Sequence, residues 1–243
     1  DSLVHYFSEM GVKAGTRTLI MVKPGLDLIQ IVFALLKIGA VPVVIDPGMG
    51  IARFFQCAKQ SKVEWILGES LAIGLARLFF ATSGQKKFLS TGTKFACPIL
   101  KELSKEAYPA LSVQADTLAA ILFTSGSTGA AKGVRYTHGM FYAQVQLIRE
   151  AYSIEAGEVD LPMLAVFALF NPALGMCTVV PEMNPSRPAQ VNPAKIVDSI
   201  LRFRVTNSFG SPTLWQLVTD YCEREGLKLP SLKRVIMAGA PAP

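Results

Sequence analysis

Short apolar runs alternate with longer helical segments through the first third of the chain. The runs TLIMV at 18–22 and VPVVI at 41–45 are too short for helices and are typical of buried strands. Between them, apolar residues recur at helical spacing over 28–36, and Gly39 would end that helix. Strand, helix and strand in close succession predict a parallel pair, because parallel strands need a crossover connection. This alternation restricts the chain to α/β folds with layered βαβ sheets and flanking helices.

The pattern continues along the chain and predicts two α/β subdomains. Further helices are predicted at 51–60, at 72–80, from Thr137 onwards, at 193–203 and from Ser211 to Gly226. Further strands are predicted at 63–67, at 87–89, from Asp116 onwards, at 134–137, at 205–209 and from Ser231 onwards. Residues 92–114 are irregular and mixed in charge, and we expect them to connect the two parts. We therefore predict a doubly wound subdomain over 1–115 and a second α/β subdomain over 116–243.

The net charge of +6 results from 24 Lys and Arg against 18 Asp and Glu. These basic residues are scattered and are not interleaved with aromatic residues, so they indicate a solvated surface and not a nucleic-acid partner. The most apolar helix and strand, within 28–45, are interrupted by polar residues and Pro42, which argues against a membrane span. The N-terminus shows no secretory signal, so we expect a cytoplasmic protein.

The four cysteines lie far apart and form no C-x-x-C pair. With only two histidines as further soft ligands, no metal site is predicted from the sequence. Free thiols in a reducing compartment are the simplest interpretation of these cysteines.

A loop rich in glycine and hydroxyl groups follows the apolar run at 119–123, in the sequence ILFTSGSTGAAKGV at 121–134. Glycines let the main chain approach a ligand closely and expose N–H groups, and hydroxyls add further donors. Lys132 adds a compact charge suited to a phosphate. The residues we predict to bind a polyphosphate are Thr124, Ser125, Gly126, Ser127, Thr128, Gly129 and Lys132.

This loop is not a Walker A loop, which requires Gly, four spacers and then Gly-Lys-Ser/Thr. Counting from Gly126, Ala131 occupies the position of the second glycine, and Gly133 follows Lys132 in place of a hydroxyl residue. A P-loop kinase or GTPase is therefore disfavoured. A glycine-rich surface turn without a ligand fits the composition, but a turn has no need of a lysine beside these glycines and hydroxyls.

The loop TSGSTGAAKGV followed by YTH resembles the signature loop of the acyl-adenylate-forming (AMP-binding) superfamily, with Ala131 where that family usually has proline. The resemblance implies an incomplete large N-terminal domain of an adenylate-forming enzyme, an ATP-dependent acid ligase. It implies that the loop closes over the ATP phosphates while a carboxylate attacks the α-phosphate, with Lys132 as the catalytic residue. ATP and Mg²⁺ are the implied cofactors.

The apolar segment at 161–183 is broken by prolines, Asn171 and Gly175, so no regular helix is predicted there. Its sequence VFALFNPALGM, followed by VVPEMNPSRPA, resembles the β-lactone synthetases of long-chain olefin biosynthesis. That resemblance implies a fatty, β-hydroxy acid as the small-molecule partner. Phe167, Phe170 and Met176 are the candidates for an acyl-pocket wall, and plain core packing is an equal alternative for each.

The turn Gly239-Ala240-Pro241 follows the last predicted strand, and the resemblance implies that it flanks the adenine ring. The family's next motif, which carries the Glu ligand of Mg²⁺, its ribose-binding Asp and its C-terminal lid domain would lie beyond Pro243. We therefore expect a front portion of a larger enzyme that is inactive alone, with the C-terminal domain of the same chain as its missing partner. A fatty-acid CoA ligase using CoA and a non-catalytic nucleotide-binding or interaction module remain the alternatives.

Overall fold

The structure is a computed structural model of the chain and describes residues 1–81, 86–91, 106–109, 111–124, 132–184 and 190–241. The chain divides into two compact units, one of residues 1–23 with 27–142 and the other of residues 24–26 with 143–243. The subdomain boundary predicted after residue 115 falls inside the first unit. The functional division into two subdomains stays a prediction.

The first unit is built on a six-stranded sheet. Its elements are α1 (Ser2–Glu9), β1 (Arg17–Met21), α2 (Leu26–Ile38), β2 (Val41–Ile45), α3 (Ile51–Gln60), β3 (Trp65–Gly68), α4 (Ser70–Phe80), β4 (Lys87–Ser90), β5 (Leu118–Thr124) and β6 (Lys132–Thr137). The strand order is β4-β3-β1-β2-β5-β6. Every neighbouring pair is parallel except β5 and β6, which are antiparallel.

Continuous apolar strands form the core of this sheet, as parallel strands covered on both faces require. Leu19, Val43 and Ile66 on three neighbouring strands are fully buried. Helix α3 packs Phe54 and Phe55 into the same cluster. This packing fixes β5, and with it the position at which the glycine-rich loop begins.

The second unit contains a smaller, four-stranded parallel sheet in the order β10-β9-β7-β8. Its elements are β7 (Val159–Pro162), a 3-10 helix (Ala165–Leu169), α6 (Asn171–Leu174), β8 (Cys177–Thr178), α7 (Pro193–Phe203), β9 (Asn207–Gly210), α8 (Pro212–Glu225) and β10 (Arg234–Met237), and α5 (His138–Tyr152) precedes them across the boundary. Leu161 of β7 packs with Ile196, Ile200 and Leu214 of the two long helices.

The sequence-based predictions of the elements are confirmed closely where a local signal exists. The bounds of β2, α3 and α7 match the prediction, and Ser211 caps α8, its hydroxyl accepting a hydrogen bond from the N–H of Leu214 at 3.3 Å. Helix α1 was not predicted. None of the helices in the described part of the chain combines the length and the apolar character that a bilayer span requires. Cys57, Cys177 and Cys222 carry free thiols, and Cys97 lies outside the described residues.

Candidate functional site

The predicted phosphate loop connects the two antiparallel strands β5 and β6. The backbones of Thr124 and Lys132 are register partners, so the two ends of the loop lie opposite each other. Ser125, Gly126, Ser127, Thr128 and Gly129 lie outside the described residues. Lys132 is exposed, and no ion pair is recorded for it among the described side chains. Its charge therefore remains available to an anion held by the loop.

Gly133 has a different role from the one its position in a glycine-rich loop indicates. It is a strand residue paired with Phe123, and a Cβ at this position would lie 2.7 Å from Cζ of the Phe123 ring. Real Cβ atoms are not found that close to an aromatic ring, so a side chain here would push the ring aside. Glycine at 133 lets the strand that begins with Lys132 pass close beside Phe123, without any unusual backbone angle.

The start of α5 lies directly after β6, and Thr137 caps it as predicted. The Thr137 hydroxyl accepts a hydrogen bond from the N–H of Met140 at 3.2 Å. Burial lowers the pKa of the next residue, His138, because desolvation disfavours the imidazolium. A neutral imidazole at the end of the hairpin adds no charge to that of Lys132.

The predicted acyl-pocket segment, residues 166–176, forms no single regular helix, as expected. It contains a 3-10 helix that begins at Ala165 and the four-residue α6, and we call residues 165–176 the wall segment. The ring of Phe167 stacks on that of Phe209 of β9, with centroids 3.6 Å apart and an interplanar angle of 24°. Phe170 lies 6.5 Å from Phe167 between ring centroids. Met176 is only 8% exposed and packs with Ile154 in a separate apolar cluster that Phe170 also contacts.

Phe167 and Phe170 are thus partly exposed aromatic rings, whereas Met176 is a core residue of the second unit. The structure brings the three predicted wall residues onto one segment but gives them unequal surroundings. Their contact with a substrate stays a prediction.

A buried polar group attaches the wall segment to the sheet. The Asn171 amide donates hydrogen bonds to Oδ2 of Asp160 and to Oγ1 of Thr178, both at 2.9 Å. Burial raises the pKa of Asp160 to about 6, even though the Asn171 amide and the Leu161 N–H, which favour the carboxylate, act in the opposite direction. In the sequence, Asn171 is recognisable only as a residue that interrupts an apolar stretch.

A second buried carboxylate, Glu158, lies just before β7. Its side chain is 5% exposed and accepts hydrogen bonds from Arg234 at 2.7 and 2.9 Å, from Asn207 at 2.9 Å and from Lys233 at 3.1 Å. Burial alone would raise the pKa of Glu158, but these donors outweigh it and lower the pKa to about 2. Arg234 also donates to the carbonyl of Ser153 at 2.6 Å, so this network joins the inner strands to β10.

The predicted adenine-binding turn, Gly239-Ala240-Pro241, follows β10 and is exposed. Gly239 has φ of +97°, in the region that favours glycine. Apart from its two chain neighbours, no atom of the described residues lies within 4 Å of the place where its Cβ would stand, so the backbone angle, and not crowding, calls for glycine here. An open, small-residue turn at the carboxyl end of a parallel strand could accommodate a flat ring.

The described residues contain no cluster of three or more His, Cys, Asp or Glu side chains that could hold a metal ion. We derive no step through Mg²⁺. Lys132 and the open turn at Gly239 do fit the charge of a polyphosphate and the shape of a base.

Two functional candidates escaped the sequence analysis: Phe209, which stacks on Phe167, and the Asp160 carboxyl that binds Asn171. The sequence does carry a signal for Asp160, because a carboxylate is unusual in a short apolar strand such as VDLP and indicates a buried polar contact. No local signal marks Phe209, since its contact depends on the register of two distant strands.

Comparison with known proteins gives a consistent result along the whole chain. The family described as "AMP-binding enzyme" matches residues 1–243. The chain is 41% identical to an olefin beta-lactone synthetase of Stenotrophomonas maltophilia (strain K279a), over 100% of this chain and 44% of that protein. It is 40% identical to the olefin beta-lactone synthetase of Xanthomonas campestris pv. campestris, again over 100% and 44%. The chain thus spans less than half the length of these relatives.

Solved structures share the fold at low sequence identity. A long-chain-fatty-acid-CoA ligase from Archaeoglobus fulgidus has a TM-score of 0.83 at 20% identity, covering 100% of this chain and 49% of that one. A Mycobacterium tuberculosis fatty acyl CoA synthetase has a TM-score of 0.82 at 18% identity, covering 99% and 47%. This likeness concerns the fold alone, and it confirms the predicted α/β sheets with flanking helices.

Proposed function

Because the chain belongs to the AMP-binding enzyme family, we propose that it takes part in the ATP-dependent activation of a fatty carboxylic acid. The proposed reaction joins the acid to ATP, giving an acyl-adenylate and pyrophosphate. A carboxylate oxygen forms a bond to the α-phosphorus, and the bond from that phosphorus to the bridging oxygen breaks. The observation that carries this proposal is the family match over the full chain, which includes the loop TSGSTGAAKGV.

Lys132 is the residue to which we assign the catalytic role. Negative charge builds up on the departing pyrophosphate, and a fixed ammonium with backbone N–H donors would stabilise it. The exposed position of Lys132 beside the loop supports this role, as does the register that pairs it with Thr124. We assign the phosphate contacts to the loop residues at 124–129 and the adenine contact to the turn at 239–241.

A fatty acid is the substrate class that the wall segment favours. Residues 166–176 contain no charged side chain that could pair with a polar substrate. The partly exposed rings of Phe167 and Phe170 are proposed as the surface that meets the acyl chain. Met176, which is buried in the apolar cluster that Phe170 also contacts, would support that surface.

Within this class we favour a β-hydroxy acid that closes to a β-lactone. The two olefin beta-lactone synthetases at 40% and 41% identity support this choice. The alternative is a fatty-acid CoA ligase, in which CoA takes the acyl group as a thioester. Both share the adenylate step, and no residue of this chain separates them. A non-catalytic nucleotide-binding module remains the alternative from another class.

Product analysis by mass spectrometry decides among these alternatives. The full-length product of the gene that encodes this chain is incubated with ATP, Mg²⁺ and a β-hydroxy fatty acid, with and without CoA. A β-lactone that forms without CoA is the expected product. A thioester that requires CoA would move the assignment to the ligase. If neither product forms and no AMP is released, the non-catalytic module would be favoured.

A further inference from the structure

We propose that Asp160 and Asn171 form a positioning pair that holds the wall segment against the second sheet and thereby sets chain-length preference in fatty-acid binding. This inference rests on the proposed function, since it concerns the same acyl site. Neither residue is assigned a contact with the substrate. Both act through the rings of Phe167 and Phe170.

The strand register places two cross-strand residue pairs side by side on one face of the sheet. We call the pair Asp160–Asn207 the polar rung and the pair Pro162–Phe209 the aromatic rung. Side chains two residues apart on a strand share a face, so Asp160 and Phe209 lie on neighbouring rungs about 7 Å apart. Leu161, between them in sequence, points to the other face, where it packs with the long helices.

The wall segment is fastened to this face at both rungs. Phe167 stacks on Phe209 at the aromatic rung, and Asn171 binds Asp160 and Thr178 at the polar rung. The 3-10 helix of five residues and α6 of four residues are too short to be stable by themselves. Contacts with the rest of the unit therefore fix where Phe167 and Phe170 stand. These are the two contacts to the sheet and the packing of Phe170 in the apolar cluster of Ile154 and Met176.

The polar contact is more specific than the stack, because it uses both N–H donors of the Asn171 side chain. Its amide has two N–H groups, one directed at Asp160 and the other at Thr178. Asn171 is 3% exposed and Asp160 is 7% exposed, so water cannot replace a lost partner without opening the site. An aliphatic residue at 171 would leave the carboxyl of Asp160 with the N–H of Leu161 as its remaining described donor.

The charged groups around the pair have other partners. Lys233 and Arg234 both pair with Glu158, and Arg149 of α5 donates to the carbonyl of Ala173 at 3.0 Å. The wall segment contributes no charge of its own. Exchanging the two residues of the pair should therefore keep one carboxyl and one amide in the same surroundings.

The test compares four variants of the full-length product of the gene for binding of dansyl-labelled fatty acids of two chain lengths, with binding measured by fluorescence titration. Asn171→Asp places two carboxyls together and should weaken binding of the longer acid by about tenfold, equivalent to about 1.4 kcal/mol. It should also reduce the preference for the longer acid. The exchange variant, Asp160→Asn with Asn171→Asp, should restore both affinity and preference, and Asp160→Asn alone should keep them because its amide oxygen still accepts a hydrogen bond.

Ser208→Ala is the matched control. Its hydroxyl is buried and donates to the carbonyl of Leu161 at 2.6 Å on the opposite face, so its loss costs stability without reaching the wall segment. Hydrogen exchange of peptides from 165–176 is measured on every variant. Faster exchange there in Asn171→Asp, with recovery in the exchange variant, supports the positioning role independently of any ligand.

The outcomes separate the inference from the function on which it rests. Fatty-acid binding that is unchanged in Asn171→Asp, or lost equally in Ser208→Ala, overturns the positioning pair. Failure of the unaltered full-length protein to bind either fatty acid overturns the acyl assignment, and hydrogen exchange then decides whether the pair positions the segment. A changed chain-length preference in Asn171→Asp that Ser208→Ala does not share is a result that a merely structural role does not predict, because a loss of stability alone requires no particular preference.

Discussion

Replacing Arg234 by methionine should destabilise the second unit strongly, because it leaves Glu158 as a buried carboxylate without its main partner. Methionine keeps most of the apolar stem and removes the guanidinium. The donors around Glu158 lower its pKa from 4.5 to about 2, and each pKa unit corresponds to about 1.36 kcal/mol. The full network is therefore worth about 3 kcal/mol, and Arg234, which makes two of its contacts, should account for most of that.

The pH dependence of this loss has a definite sign. Because the folded-state pKa of Glu158 is lower than the unfolded value, its contribution is fully present above about pH 4.5 and is lost as the pH falls toward about 2. The difference in free energy of unfolding between Arg234→Met and the unaltered chain should be about 2 to 3 kcal/mol near pH 7. It should shrink to roughly 1 kcal/mol near pH 3.

Urea unfolding followed by circular dichroism measures both values. Arg224→Met is the matched control, because Arg224 pairs with Glu225 at 3.0 Å with both side chains well exposed. Such a surface pair contributes about 0 to 1 kcal/mol. Equal destabilisation by the two variants, or a loss in Arg234→Met that does not change with pH, would refute the argument.

Further predictions concern the loop strand, the polar rung and a helix cap. Gly133→Ala should cost about 1 to 3 kcal/mol in unfolding free energy, because its Cβ would stand 2.7 Å from the Phe123 ring. Gly74→Ala, whose Cβ would have open space on a helix, should instead raise the melting temperature, and equal shifts in melting temperature for the two variants would contradict this. Asp160 has a folded-state pKa raised from 3.8 to about 6, so its ionisation opposes folding and stability should fall across that pH range. Relative to the unaltered chain, Asp160→Asn should gain about 2 to 3 kcal/mol between about pH 4 and pH 6, and an unchanged difference would show that the carboxyl is not buried as described. Ser211→Ala should cost about 1 kcal/mol by removing the cap of α8, measured by the same urea titration, and no loss would mean that the cap is replaced by water.

The parts of the fold that the sequence predicts well are those with a strong local cause. The continuous apolar runs become β2 and β5, and Gly39, with φ of +79°, ends α2 as its position after the apolar stripe predicts. The Walker comparison also holds in structural terms, because the loop leads into the strand that begins with Lys132 and not directly into a helix.

The features that the sequence misses depend on contacts between distant residues. Helix α1 has only eight residues, and Asp1 at its N-cap makes no side-chain cap hydrogen bond. The apolar residues of α5 suggest a buried stripe, yet Leu147 is 63% exposed. Val145 and Ile148 are only half-buried, and α5 has no fully buried residue among those described. Phe209 and Asp160 contact the wall segment only because of the register of the second sheet, which no single stretch of sequence reveals.

Carboxylate-dependent exchange of pyrophosphate into ATP tests the central claim most directly, because it reports the adenylate step whatever the final product is. The assay uses the full-length product of the gene and a panel of fatty acids, and compares Lys132→Ala with Lys228→Ala, which removes an exposed lysine far along the sequence from the loop. We expect exchange that requires a fatty acid, falls about 100 to 1,000 fold in Lys132→Ala and is unchanged in Lys228→Ala. Pyrophosphate exchange at full rate in Lys132→Ala would contradict the account, and so would the absence of exchange with every carboxylic acid of the panel.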